Sequence, residues 1–143
     1  MSRFLPLLFL FFVLGCQRAS QRDTAVTSNP ELQRLTAALD VAMTQTDMNL
    51  ASHKISEFWD AKLASIEKRV EKKLDDEERK RFSETKERWR SDRMQEVKFQ
   101  SDFSAGGSIQ PLVANACYSE MTQHRVAELS SLLLGLEGVE SKP

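Results

Sequence analysis

Apolar residues recur at spacings of three and four along most of this chain, in four separate runs. The first opens at Asn29-Pro30-Glu31, which supplies an Asn cap, a proline at the first helical position and an acid in the first turn. Leu32, Leu35, Leu39 and Met43 follow, so this helix is expected to end near Thr44. Thr44 offers a second start, with Asp47 completing a capping-box pattern in place of the usual glutamate. Met48, Ala51, Ile55, Trp59, Leu63, Ile66, Val70 and Leu74 then define a long amphipathic helix. Over about thirty residues it would reach about 45 Å.

Asp75-Asp76 interrupts that pattern, and Glu77-Glu78 place acid at the start of a third helix. Phe82, Thr85, Trp89, Arg93 and Val97 share one of its faces. Asp75/Arg79, Glu77/Arg81 and Glu84/Arg88 are four apart with the acid first, the favourable order for exposed helix pairs. Ala105-Gly106-Gly107-Ser108 holds the chain's single pair of adjacent glycines and predicts a turn. Ser108 can cap a fourth helix bearing Ile109, Leu112, Ala116, Val126, Leu129 and Leu133 and ending near Gly135. The pattern describes an all-α fold, a small up-and-down bundle of three to four helices, two of them long.

A different kind of run lies at the start. Phe4 to Leu14 is almost unbroken apolar sequence, preceded by Arg3 and closed by Gly15-Cys16. A spanning helix needs about 20 apolar residues; this segment is shorter, contains Pro6 and is followed by Gln17-Arg18. Val13-Leu14-Gly15-Cys16 resembles the lipobox of a bacterial lipoprotein signal peptide. The resemblance implies cleavage after residues 1–15, thioether lipidation of Cys16 and acylation (palmitate or similar) of the new terminus. Two or three acyl chains anchor a protein stably in a membrane. Gln17 after the cysteine, rather than Asp, implies the outer membrane, facing the periplasm. Residues 16–28 are polar and read as a flexible tether spanning about 20 Å. The domain proper is expected over 29–136, with a frayed tail at 137–143.

With 15 of 143 residues removed, 128 remain, enough for one modest domain. Arg3 is the only charge lost, so 19 bases face 21 acids and the net charge is −2, which argues against a nucleic-acid partner. Scarce glycine and proline, with abundant Glu, Lys, Arg, Leu and Ala, agree with an all-helical fold. Lipidation of Cys16 would leave Cys117 without an intrachain partner. It is then a buried small apolar residue, or a thiol open to intermolecular pairing or redox chemistry.

Catalytic signals are poor, and the chain reads as a non-enzyme with no cofactor and no metal. His53 and His124 are far apart in sequence. His53 and Glu57 stand one turn apart but lack further ligands. Gly106-Gly107 follows no strand and precedes no lysine, so it is a turn needing positive φ rather than a phosphate loop. Trp89 and Arg93 are one turn apart, so the guanidinium can stack on the indole or bond to another helix. Arg125 and Glu128 can pair with each other.

Four pieces in order carry a family resemblance. They are Thr44-Gln45 with Met48-Asn49; Trp89 with Arg93; Gly106-Gly107-Ser108; and Thr122 with Arg125, Glu128 and Leu129. Together they resemble the LprI-type lysozyme inhibitor family, small secreted helical domains. The resemblance implies a protein that binds and blocks lysozyme-type muramidases at the cell envelope. The alternative is a non-inhibitory envelope module that binds another protein. Family members usually carry cysteines where this chain has Ala51 and Val97, and Cys117 matches a later one. The resemblance therefore implies that the usual partner of Cys117 has been lost, at a cost of about 2–4 kcal/mol.

Overall fold

The computed structural model describes residues 29–140. The expected signal segment 1–15, the lipidation site Cys16, the rest of the tether to residue 28 and residues 141–143 lie outside them. The described residues form four helices: α1 (Pro30–Asp40), α2 (Gln45–Glu71), α3 (Asp76–Asp102) and α4 (Gln110–Glu140). The all-α bundle holds, with three long helices rather than two. None of the four is long and apolar enough to cross a membrane.

The chain divides between Arg34 and Leu35 into two units. In the first, Asn29 caps α1, its Oδ1 accepting from the Glu31 and Leu32 amides at 3.0 and 3.2 Å. The second holds the remainder of α1 and the other three helices.

α1 stops at Asp40 rather than near Thr44, because Thr44 is extended (φ −116°, ψ 154°) and caps α2 instead. Its Oγ1 accepts the Asp47 amide at 3.1 Å and donates to Asp47 Oδ2 at 2.6 Å. The shorter acid thus engages the capping hydroxyl, where a capping-box glutamate would engage the backbone. α3 starts with the full motif: Asp75 accepts from the Glu78 amide at 2.8 Å and Glu78 accepts from the Asp75 amide at 3.0 Å. Since Asp75 is committed to the cap, Arg79 pairs with Asp76 at 2.7 Å instead. Glu77 and Arg81 pair at 3.2 Å as expected, whereas Glu84 and Arg88 form no ion pair among the described residues.

Cross-helix bonds fix the directions. Arg90–Glu67 and Arg93–Asp60 run in opposite numerical order, so α3 is antiparallel to α2. Ser56–Ser119 and Arg69–Glu137 ascend together, so α4 is parallel to α2. α4 packs most extensively on α2 and next on α3. α2 and α3 are tied largely by long side chains, including a Lys86–Glu71 pair that is mostly sheltered from water.

The apolar core lies in the half of the bundle nearer the α2–α3 connection. Leu63, Ile66 and Val70 of α2 meet Leu129 and Leu133 of α4, with Leu74, Phe82, Trp89, Val126 and Leu136 packed around them. Full burial of Leu63, Ile66, Val70, Leu129 and Leu133 stabilises the fold by about 1.5–3 kcal/mol for each. α4 runs through Gly135 and Gly138 to Glu140, past its expected end. Leu136, the next residue after Gly135, still packs on the core, and that burial offsets the roughly 1 kcal/mol cost of a helical glycine. At the other end of the helix, Ala116 is exposed although its spacing matched the apolar series.

Leu63→Ala or Leu129→Ala should lower unfolding stability by about 2–5 kcal/mol in urea titrations. Leu134→Ala, at a 58 % exposed position of the same helix, should change it by less than about 0.5 kcal/mol.

Candidate functional site

Toward the opposite end, polar side chains enter the interior beside the buried Ala51, Phe58, Trp59, Val97 and Cys117. On α2, Asn49, Ser52, Ser56 and Asp60 follow one another at three- and four-residue steps, and Asn115, Ser119 and Thr122 do the same on α4. Ser56 Oγ and Ser119 Oγ are 3.0 Å apart, and Ser56 also donates to the Asn115 carbonyl at 3.2 Å. Asn115 Nδ2 donates to Ser52 Oγ at 3.0 Å. Small polar side chains bonded across the seam let the two helices approach without leaving buried groups unsatisfied.

Asn49 carries this seam to the glycine turn. Its Oδ1 accepts from Gln45 Nε2 at 3.0 Å, and its Nδ2 donates to the Ser108 carbonyl at 3.0 Å. Successive backbone bonds close the turn internally: Ala105 to Asp102, Gly107 to Ser104 and Gln110 to Gly107. Gly106 has φ +76°, a conformation only glycine adopts without strain. A Cβ on Gly107 would stand 3.2 Å from the Ser104 carbonyl oxygen. Residues 105–108 are exposed, so the result is a solvent-facing turn held from within and from α2. Ser108 does not cap α4, which starts at Gln110; its carbonyl is the acceptor for Asn49.

At the other end of the seam sits a buried cation. Arg93, 5 % exposed, reaches from α3 between its partners. Its Nη1 donates to Thr122 Oγ1 at 2.7 Å and to Asp60 Oδ1 at 3.2 Å. The guanidinium carbon lies 3.8 Å from the Tyr118 ring centroid and 4.7 Å from that of Trp89. Tyr118 donates to both Asp60 oxygens, at 3.0 and 2.7 Å, and Thr122 donates to the Tyr118 carbonyl at 2.6 Å. Arg125 also lies over Trp89, at 5.7 Å, and pairs with Glu128 at 3.0 Å. Arg93 Nε and Arg125 Nε find no hydrogen-bond partner among the described residues. Both guanidinium groups lie over the Trp89 ring, whose π electrons supply electrostatic compensation.

The four motif pieces therefore gather into two assemblies. Thr44, Gln45, Met48 and Asn49 stand at the start of α2, and Asn49 meets Gly106-Gly107-Ser108 there. Trp89, Arg93, Thr122, Arg125 and Glu128 form the cation cluster, while Leu129 belongs to the apolar core. Asp60, Tyr118, Asn115 and Ser119 were not foreseen. Their signal was polar residues at helical spacing within otherwise apolar stripes.

Burial and the hydrogen bond to Asp60 raise the Tyr118 pKa above its usual value near 10, against the opposing pull of Arg93. Cys117 is buried and free, and burial, then Glu96 and Glu120, raise its thiol pKa as well. That makes it a packing residue rather than a reactive one. His53 and Glu57 are both well exposed, 3.6 Å apart, and no group of metal-binding side chains assembles among the described residues.

A family model described as "Lysozyme inhibitor LprI" matches residues 36–129, about two thirds of the chain. The match begins inside α1 and ends at Leu129, so it contains both assemblies. No curated protein and no solved structure matches the chain.

Two measurements probe the cation cluster. Thr122→Val keeps the shape but removes the acceptor of Arg93, and should cost about 1–3 kcal/mol in thermal or urea unfolding. Tyr118 is the single tyrosine, so tyrosinate absorbance reports it alone. The midpoint should lie above 10 in the folded chain and near 10 in denaturant. Because the folded chain favours the neutral phenol, this contribution to stability is complete below about pH 10 and is lost as pH rises through the folded value. A folded midpoint at or below 10 would contradict the bonding described.

Proposed function

The chain belongs to the LprI lysozyme inhibitor family, and on that premise we propose that it binds and blocks lysozyme-type muramidases from a lipid anchor at Cys16 in the bacterial envelope. Muramidases cleave through a carboxylic acid and a carboxylate set in a cleft. Such a cleft is closed most economically by a narrow, rigid element that loses little entropy on entry. The observation that carries the reading is the turn at residues 105–108: exposed, internally bonded, shaped by Gly106 and tied to α2 through Asn49. Two glycines make its tip narrow. The role is one of binding, with no step of catalysis assigned to the chain.

The lipobox resemblance, the short polar segment after Cys16 and the compact helical domain fit a tethered protein that meets its target at the membrane surface. Outer-membrane placement rests on Gln17.

The test is to titrate the detergent-solubilised chain against several lysozymes on cell-wall substrate. Inhibition near stoichiometry is expected for at least one. Asn49→Ala, which releases the turn, should weaken it by about tenfold while leaving helical circular dichroism intact. No inhibition of any lysozyme at micromolar excess rejects the proposal.

A further inference from the structure

Phe99 and Phe103 lie one turn apart at the C-terminal end of α3, edge to face with ring centroids 5.3 Å apart. They are 61 % and 81 % exposed. The inward register of this helix is taken by Arg93, Val97 and Ser101, which places the two phenylalanines on the opposite face. Ile109, at the far side of the same connection, is also exposed. So is Leu50, the neighbour of Asn49. The exposed aromatic pair thus shares one end of the bundle with the pinned glycine turn.

Charge distinguishes this end from the other. Residues 45–60 and 92–124 carry seven carboxylates against three bases, a net −4. Residues 61–91 and 125–140 carry eleven carboxylates against twelve bases, a net +1. The near-neutral total therefore hides a polarised domain whose aromatic pair lies in an acidic half. Two copies meeting through this end would bring like charges together, and an anionic lipid or nucleic-acid surface would be repelled as well.

We propose that the Phe99–Phe103 end of the bundle is a docking surface for a cationic protein, with the aromatic pair as the anchor and the surrounding acids guiding the encounter. The proposal deepens the inhibitory reading and rests on it: the cationic partner is the muramidase, and docking here delivers the turn at 105–108 to its cleft. Aromatic anchors in a contact act chiefly on dissociation, while charges around them act on association and its salt dependence.

The experiment measures binding of the detergent-solubilised full chain to a cationic c-type lysozyme by interferometry at several salt concentrations, with inhibition assayed in parallel. Phe99→Ser/Phe103→Ser should weaken binding by about tenfold or more, mainly through faster dissociation. Asp92→Lys/Glu120→Lys, both at exposed sites in the acidic half, should slow association several-fold and flatten its dependence on salt. Circular dichroism checks that each variant is folded. If both variants bind and inhibit as the wild type does, the docking surface is wrong and the inhibitory reading survives. If the wild type binds through these residues and inhibits neither this lysozyme nor any other, the surface stands and the inhibitory reading falls. No binding by the wild type overturns the docking surface, and the inhibitory reading falls with it only if no other lysozyme is inhibited. Self-association by sedimentation that the aromatic variant abolishes would make a second copy the occupant, and would overturn the proposal.

Discussion

A guanidinium sealed among helices constrains most of what this bundle can be. Arg93 is buried, and a buried cation is costly unless its charge and its donors are met where they lie. Here α2 supplies Asp60, α4 supplies Thr122 and Tyr118, and α3 itself supplies Trp89 one turn back. None of these partners can slide by a turn without stranding the charge, so the cluster sets the register of all three long helices at once. An apolar contact would tolerate such a slip far better, because hydrophobic burial has no direction. The ridge of Leu63, Ile66 and Val70 against Leu129 and Leu133 supplies driving force; the arginine supplies uniqueness.

That division of labour explains what was legible in the sequence. The helices and two of their caps were visible because capping chemistry is local: Asn29 and Thr44 each act within three residues, whereas Asp75 read as a break in the pattern and an ion-pair partner rather than as the cap it is. The apolar core was visible because its period was unbroken. The polar seam was not, since nothing local marks Ser52, Ser56, Asn115 and Ser119 as partners until the two helices face each other. Trp89 and Arg93 were paired correctly from their spacing, but Asp60 and Tyr118 lie 33 and 25 residues from Arg93, and no local rule connects them. Ser108 misled because serine before a helix is ordinarily a cap; here its carbonyl is bonded across to Asn49.

The cluster also bears on the missing cysteines. Ala51 and Val97, the positions where the family resemblance implies cysteine, are both buried, as is Cys117. Each is filled by a small apolar side chain, so the absence of a crosslink leaves no polar group unpaired at these positions. A disulfide acts mainly by restricting the unfolded chain, whereas the arginine cluster acts on the folded state by fixing register. The two are not equivalent, and the bundle keeps the one that determines geometry.

Geometry is what a turn-based inhibitor needs. The seam of Ser119, Ser56 and Asn115 leads to Asn49, which ends on the carbonyl of Ser108, and the Arg93 cluster ties the same two helices further along through Asp60 and Thr122. The rigidity of the helical register is thereby passed to the exposed turn. An apolar interior at this end would hold α2 and α4 together as well, but it would offer nothing to grip a backbone carbonyl. The polar seam and the glycine turn are therefore one device. The same reasoning accounts for the aromatic pair beyond the turn: Phe99 and Phe103 are useless to a core already filled by Arg93 and Val97, and become useful only if something outside covers them.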